Sequence, residues 1–364
     1  MKLLMYPLML LYQIGVGFRN WMFDLGLLTS KKYDLPVISI GNITIGGTGK
    51  TPHTEYLLSL LSPVMKVAML SRGYKRITHG FVLADKNSDY ESIGDEPFQI
   101  LRKFKDVVVA VDGNRCRGIE NLLQSEYGKE LGAIVLDDAF QHRYVEPGIS
   151  ILLTDYNRLM TNDKLLPIGN LREPSDNKKR ANIVIVTKCP ETAQPIDYRL
   201  VTKDLALFPY QNLYFTKYEY GELVPVFPAI KELPITKERV KKEKMDVLLV
   251  TGIVSQHYLI EYLLKYTNKL QTIEYPDHHN FSESDLHSIA DKFSAIENKK
   301  KIIITTEKDA ARLIGNPNVP EEIKNAIFSL PIKVAFLFEQ EKDFNEQILG
   351  YVSKNKTNRG LFKK

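Results

Sequence analysis

"VISIGNITIGGTGKTP" (residues 37–52) decides how the chain is read. Its first half is an apolar, β-branched run. Its second half is a glycine-rich turn ending in Gly49, Lys50 and Thr51, and the following "TPHTEYLLSLL" has helical periodicity. Strand, glycine turn and helix in that order are the setting in which a G-x-x-x-x-G-K-[ST] loop wraps phosphate. Small residues let successive N–H groups point inward, and the helix N-terminus favours negative charge. The leading glycine position holds Thr44, yet Gly46, Gly47 and Gly49 supply the backbone freedom. The expected nucleotide loop is therefore Thr44, Ile45, Gly46, Gly47, Thr48, Gly49, Lys50 and Thr51. Lys50 would face the β- and γ-phosphates of ATP, and the Thr51 hydroxyl would face Mg²⁺. Pro52 falls in the first helical turn, where its missing N–H costs little.

Outward from this loop, short apolar runs alternate with helical stretches. "KVAMLS", "DVVVAV", "AIVLDD", "SILLTD" and "NIVIVTK" read as strands, which predicts an α/β fold with a P-loop-like, mostly parallel sheet over 35–207. At 208–227 the pattern becomes aromatic and alternating, "FPYQNLYFTKYEYGELVPVF", which predicts a two-stranded ribbon. With the charged "KERVKKEK" as a solvated linker it fills 208–244. "MDVLLVTGI", "QTIEYPD", "KKIIITTEKD" and "IKVAFLFE" then predict a second, smaller α/β domain over 245–350, followed by a basic tail at 351–364.

The first 34 residues stand apart. "LLMYPLMLLYQIGVGF" (3–18) is uncharged for 16 residues, short of the roughly 20 that a membrane-spanning helix needs. Gln13, Gly17, Asn20 and Asp24 form a polar or small stripe at helical spacing, and Leu10, Leu11, Ile14, Phe18, Trp21, Met22 and Leu25 cover the rest. With Lys2, Arg19, Lys31 and Lys32 nearby, this predicts a helix lying in a membrane interface. A cleaved signal peptide and a helix packed on the domain are the alternatives; no small-x-small cleavage site is evident. The 364-residue chain carries a net charge of +5, too mild to imply nucleic acid but compatible with an anionic substrate or membrane surface. Cys116 and Cys189, its two cysteines, make neither a disulfide framework nor a metal cluster and suit a reducing compartment.

The chemistry-bearing residues cluster in a few motifs. "AIVLDDAFQHR" ends an apolar strand in Asp137 and Asp138, one of which would hold Mg²⁺ while the other positions its partners. "GNLREP" holds Asn170, Arg172 and Glu173; Arg172 and Glu173 either divide between a substrate phosphate and the metal or form a surface pair. "VDGNRCRG" offers Arg115 and Arg117 for phosphate oxygens. "SRGY" offers Arg72 and Tyr74 to a substrate, and "SIGDEPFQI" offers Asp95 and Glu96 at a helix start, with Asp95 as an N-cap being the plain alternative. Glu307, Lys308 and Asp309 of "ITTEKDAAR" read equally as a nucleotide contact or a charged helix start, and "VTKCP" (186–190) shares that ambiguity.

In sequence order, "GNITIGGTGKTP", "SRGY", "GDEP", "LDDAFQHR", "GNLREP" and "YPDHHNF" resemble the tetraacyldisaccharide 4'-kinase family, the lipid A 4'-kinases, over most of the chain. The family spells its loop as this chain does, so Thr44 is no departure. The resemblance implies ATP- and Mg²⁺-dependent phosphorylation of the 4'-hydroxyl of a lipid A disaccharide 1-phosphate at the cytoplasmic face of the inner membrane. It implies Asp95 as catalytic base and His278 of "YPDHHNF" as its partner, with His279 the immediate competitor. It also favours Arg115 over Arg117 for stabilising charge. Two rivals remain on the sequence: an ATPase of the deviant P-loop class, which usually carries a signature lysine where Ile45 stands, and a nucleotide-binding scaffold without turnover.

Overall fold

The structure, a computed structural model, describes residues 5–227, 235–254 and 256–355. The chain forms two compact units: residues up to Tyr218 together with those from Val334 onward, and Glu219–Lys333.

The first unit is built on a nine-stranded sheet. Its strands are β1 (Val37–Asn42), β2 (Lys66–Ser71), β3 (Val82–Leu83), β4 (Val108–Val111), β5 (Leu131–Asp137), β6 (Ile149–Asp155), β7 (Ile183–Thr187) and β8 (Asn212–Tyr220). The last is β14 (Ile332–Phe336), numbered after β9 to β13 of the second unit. The order is β14-β8-β7-β6-β1-β5-β2-β4-β3. Strands β4, β2, β5, β1, β6, β7 and β8 pair in parallel, and β3 lies antiparallel on β4. β1 and β5 are buried along their whole length. That is why they read as unbroken apolar runs: helices cover both faces of a parallel sheet. On one face Leu57, Leu58 and Leu61 of the helix Lys50–Leu61 pack with Phe344, Ile348 and Val352 of the helix Glu341–Lys354 over Ile38, Ile40 and Val135. On the other, Ile119 and Leu122 of Arg115–Gln124 cover Leu70 and Ile134, and Val201 and Leu205 of Pro195–Leu205 cover Leu152 and Val184. From β1 the chain goes toward β2 on one side, while β6 to β8 continue on the other. The carboxyl end of β1 is thus a switch point, where open α/β sheets place their ligands.

The second unit holds a five-stranded sheet in the order β11-β10-β12-β13-β9, with β9 (Val224–Pro225), β10 (Asp246–Thr251), β11 (Leu270–Glu274), β12 (Lys301–Thr306) and β13 (Ile327–Leu330). All pairs are parallel except β13 with β9.

Three expectations are corrected. The ribbon at 208–227 does not form, because β8 pairs in parallel with β7 and β9 joins the other sheet. Alternation marks a half-buried strand but does not name its partner. "KERVKKEK" is not a free linker: Thr236 caps a helix Lys237–Lys242 in which Lys237 and Val240 are buried. "IKVAFLFE" and the helix after it belong with the first unit, and Tyr351–Lys354 close that helix instead of starting a basic tail. The rest of that tail, from 356, lies outside the described residues, as do residues 1–4.

At the N-terminus, Pro7 lies in the first turn of the helix Tyr6–Asp24. The body takes Asn20 and Phe23, with Met9, Tyr12, Val16 and Arg19 half-buried, while Gln13 and Gly17 of the expected polar stripe face outward. Leu8, Leu10, Leu11, Ile14, Phe18 and Trp21 are each more than half exposed. No helix among the described residues is long and apolar enough to cross a membrane.

Candidate functional site

The turn after β1 carries two glycines in the left-handed region, Gly46 (φ 101°) and Gly49 (φ 88°). Gly49 opens the helix Lys50–Leu61, and a Cβ there would lie 2.3 Å from the Tyr218 hydroxyl, so a side chain is strained by the backbone and would also have to displace the Tyr218 ring. Neighbouring segments hold the turn. The Ile45 N–H donates to the Asn170 carbonyl (2.7 Å) and the Arg172 N–H to the Ile43 carbonyl (2.7 Å), so "GNLREP" runs beside the loop as a strap. Asn42 Nδ2 donates to the Thr48 hydroxyl (2.6 Å), and the Thr187 hydroxyl donates to the Thr48 carbonyl (2.9 Å). Lys188 Nζ donates to the Gly47 carbonyl and pairs with Asp155 at 2.7 Å, which places "VTKCP" against the loop. His53 is buried and bridges the Gly49 carbonyl (2.8 Å) and the Thr216 hydroxyl (3.0 Å).

Around this loop the structure assembles a charge network. Register puts Asp137 beside Ile40 at the end of β1, and Gly41 lets Phe140 approach so closely that a Cβ would meet Phe140 at 2.9 Å. That approach carries Asp138, itself left-handed at φ 44°, to the loop. Asp138 receives Arg172 Nη2 at 3.0 Å and Nη1 at 3.4 Å, with Lys50 Nζ at 3.8 Å. Burial would raise the Asp138 pKa, but Lys50 and Arg172 more than offset it and hold the carboxyl below its ordinary range. Asp137 goes the other way: burial, then the charges of Glu96 and Asp138, raise its pKa. It accepts from the hydroxyls of Thr54 (3.0 Å) and Ser71 (3.3 Å). Of the two adjacent acids, Asp138 is the one whose charged form Lys50 and Arg172 favour, and it is partly open to solvent.

Arg115 is 2 % exposed and donates to the carbonyls of Asp112 (2.6 Å) and Asp137 (3.1 Å), while its Nε is buried without a partner. Burial lowers its pKa to about 10, which leaves it charged at neutral pH. Arg117 instead forks onto Asp112 at 2.8 and 2.7 Å. Arg72 and Tyr74 are exposed, and Arg72 is near enough to act electrostatically on Arg115. Gly94, at φ 93°, takes the cap position, so Asp95 is the first residue inside its helix and not the N-cap; it is 6 % exposed and accepts from the Glu96 N–H (2.9 Å).

Two expected site residues are engaged elsewhere. The Asn170 side chain is held by Asp163 (3.3 Å). Glu173 is 2 % exposed and its Oε2 receives Arg180 Nη2 (2.6 Å), Asn177 Nδ2 (2.7 Å) and Asn20 Nδ2 (3.3 Å), while its Oε1 is buried without a partner, so it is not a surface pair with Arg172. A buried carboxylate needs compensating donors, and Arg180 supplies the charge.

Comparison with known proteins decides the family. Residues 1–353 match LpxK, described as "Tetraacyldisaccharide-1-P 4'-kinase". The tetraacyldisaccharide 4'-kinase of Bacteroides thetaiotaomicron is 50% identical over 362 residues, covering 97% of this chain and 94% of that protein. That of Phocaeicola vulgatus is 50% identical over 354 residues, covering 97% and 96%. The chain belongs to the tetraacyldisaccharide-1-P 4'-kinase family. A crystal structure described as the "apo" form of LpxK from Aquifex aeolicus in complex with ATP has TM-score 0.70 and 27% identity, covering 96% of this chain and 99% of that one.

In the second unit of this family member, His278 has φ 58° and its Nε2 lies 3.0 Å from Lys308 Nζ, with Arg312 Nη2 3.4 Å from Nδ1. His279 turns away to Asp285 (2.9 Å) and stacks on Tyr275. Asp309 is buried and accepts from the Gly252 N–H, the Thr306 hydroxyl and Arg312. Thr306 caps the helix Glu307–Ile314, so "TEKD" is a helix start, and its Lys308 reaches the "YPDHH" turn. Sequence reasoning missed Asn42 and Gln141, which meet the loop, and His142, whose pKa burial and then Arg115 and Arg72 lower to about 4. Their only sequence signal is adjacency: Asn42 ends the loop strand, and Gln141 and His142 follow the paired aspartates.

Proposed function

We propose that this chain transfers the γ-phosphoryl group of ATP to the 4'-hydroxyl of a tetraacyldisaccharide 1-phosphate. The observation that carries the reading is the single network of Lys50, Asp138, Arg172 and Asn42 beside a glycine turn at the switch point of the sheet, in a member of this kinase family. The residues from Thr44 to Thr51 cradle the phosphates, Lys50 sets its charge against the transferring group, and Arg115 adds a fixed cation deeper in. The acceptor oxygen forms the new bond to phosphorus, the bond to ADP breaks, and the hydroxyl proton passes to Asp95. His278 is the second proton-handling group, and Arg72 and Tyr74 meet the disaccharide phosphate.

Mg²⁺, when bound, neutralises charge on the β- and γ-phosphate oxygens. The residues present fit it: Thr51 and Asp138, with Asp137 behind, are hard oxygen donors, and Asp138 is kept ionised. Mg²⁺ takes one or two carboxylates together with substrate phosphates, so these few oxygen donors are enough to hold it. The exposed apolar face of Tyr6–Asp24 would seat the protein on the cytoplasmic face of the inner membrane, lying in the interface and not spanning it.

The test is transfer of γ-labelled phosphate to detergent-dispersed tetraacyldisaccharide 1-phosphate under saturating Mg²⁺. Labelled lipid is expected. Acceptor-independent release of free phosphate, with unlabelled lipid, would make the protein an ATPase.

A further inference from the structure

Among its contacts with the body, the helix Tyr6–Asp24 meets two segments that also border the glycine turn. On one side, the Tyr12 hydroxyl donates to the Arg172 carbonyl at 2.9 Å, and Asn20 Nδ2 donates to Glu173 Oε2 at 3.3 Å. On the other, Arg19 Nη2 donates to the Gln141 carbonyl at 3.1 Å, and Arg143 Nη1 donates to the Asn20 carbonyl at 2.9 Å. Both segments then converge on one atom beside the loop. Gln141 Nε2 (2.8 Å) and Arg172 Nη2 (3.1 Å) both donate to the Asn42 carbonyl, and Arg172 continues to Asp138 at 3.0 Å. An anchor would need only its apolar face. Here the opposite face is polar and specific: Asn20 is 6 % exposed and Glu173 is 2 % exposed, in contact with each other and with Arg143 and Arg180. An imperfect contact between buried polar groups costs free energy that apolar packing would not, so such a contact constrains the geometry of both segments.

We propose that Asn20 and Tyr12 are positioning residues for phosphoryl transfer: the N-terminal helix sets the 141–143 and 170–173 segments, and through them the Asn42–Arg172–Asp138 geometry, besides contacting lipid. The proposal rests on the kinase reading above. It makes a distinction that an anchor does not. Loss of an anchor raises the apparent KM for acceptor and leaves kcat alone. Loss of a positioning contact lowers kcat even when the acceptor is saturating and fully dispersed.

The experiment uses the full chain in mixed micelles with tetraacyldisaccharide 1-phosphate, MgATP and two variants. Asn20→Ala is expected to lower kcat about tenfold and Tyr12→Phe about threefold, each with acceptor KM within about twofold of wild type. A double-mutant cycle of Tyr12→Phe with Arg172→Lys is expected to be non-additive in kcat, since the two act through one segment. Should Asn20→Ala fail to fold, Tyr12→Phe removes a single hydroxyl and decides alone. Unchanged kcat with raised acceptor KM, or a strictly additive cycle, overturns the proposal. A wild-type protein that labels no lipid in the same assay overturns the kinase reading instead, so the two failures are separable.

Discussion

Replacing Arg172 by methionine keeps most of the side-chain length and removes the fork that holds Asp138. The fork makes contacts of 3.0 and 3.4 Å to the two carboxylate oxygens and 3.1 Å to the Asn42 carbonyl, and both partners are about three-tenths exposed. Unit charges about 4 Å apart attract by about 4 kcal/mol at an effective dielectric of about 20. Solvent at this degree of exposure removes much of that, and desolvation removes more, so about 2 kcal/mol of net destabilisation is expected. Asp138 keeps Lys50 at 3.8 Å, and with the charge and hydrogen bonds of Arg172 gone its pKa should rise toward the ordinary carboxylate range. Arg172→Lys restores the charge without the paired geometry and should recover about half of the loss. Urea denaturation of wild type and both variants at 0.1 M salt measures the stability term, and steady-state transfer measures kcat, which should fall at least about tenfold in Arg172→Met. Because the pair is partly buried, raising salt should change the difference little. A Met variant within about 0.5 kcal/mol of wild type, with unchanged kcat, would mean that water already does what Arg172 is credited with here.

Other consequences are as direct. Lys50→Met should lower kcat by about a thousandfold, the usual cost of one preorganised charge on the reacting group, and wild-type turnover would remove the loop from the mechanism. Asp95→Asn should lower kcat much more than it weakens ATP binding measured by calorimetry; an unchanged kcat would leave Asp95 as part of a helix start only. Glu173→Gln should leave the Mg²⁺ concentration for half-maximal rate unaltered, since Glu173 is 2 % exposed and Arg180, Asn177 and Asn20 all hold its Oε2; a strong rise would make Glu173 a ligand through Oε1. Leu10→Ser with Trp21→Ser, both at exposed positions, should release protein from sedimenting vesicles at little cost in thermal stability, and undiminished sedimentation would refute the interfacial seat.

What could be read in advance was what depends on near neighbours in the chain. The strand, glycine turn and helix at 37–61 were legible because each is dictated locally: a β-branched run, positions that need positive φ, and a 3.6-residue apolar stripe. The central parallel strands were legible because burial on both faces leaves an unbroken apolar signature. β8 was misplaced because its alternation carries no information about its partner. The return of β14 and the helix Glu341–Lys354 to the first unit was invisible because that packing joins residues almost 300 positions apart. In the site, Lys50, Asp137 and Asp138 stood out as residue types at strand ends, whereas Asn42 and Gln141 became visible only as atoms meeting at one carbonyl.

The amino-acid order alone determined that a glycine-rich turn follows the first strand and that an acid pair ends a neighbouring one, since both follow from propensity and backbone sterics. Tertiary structure decided which acid has its charged form favoured, because that depends on which carboxylate Lys50 and Arg172 reach and which is shut in with Thr54 and Ser71. It also decided that Glu173 faces the N-terminal helix while adjacent Arg172 faces Asp138. Chain neighbours on an extended strap point to opposite sides, and only the surroundings say what each side meets.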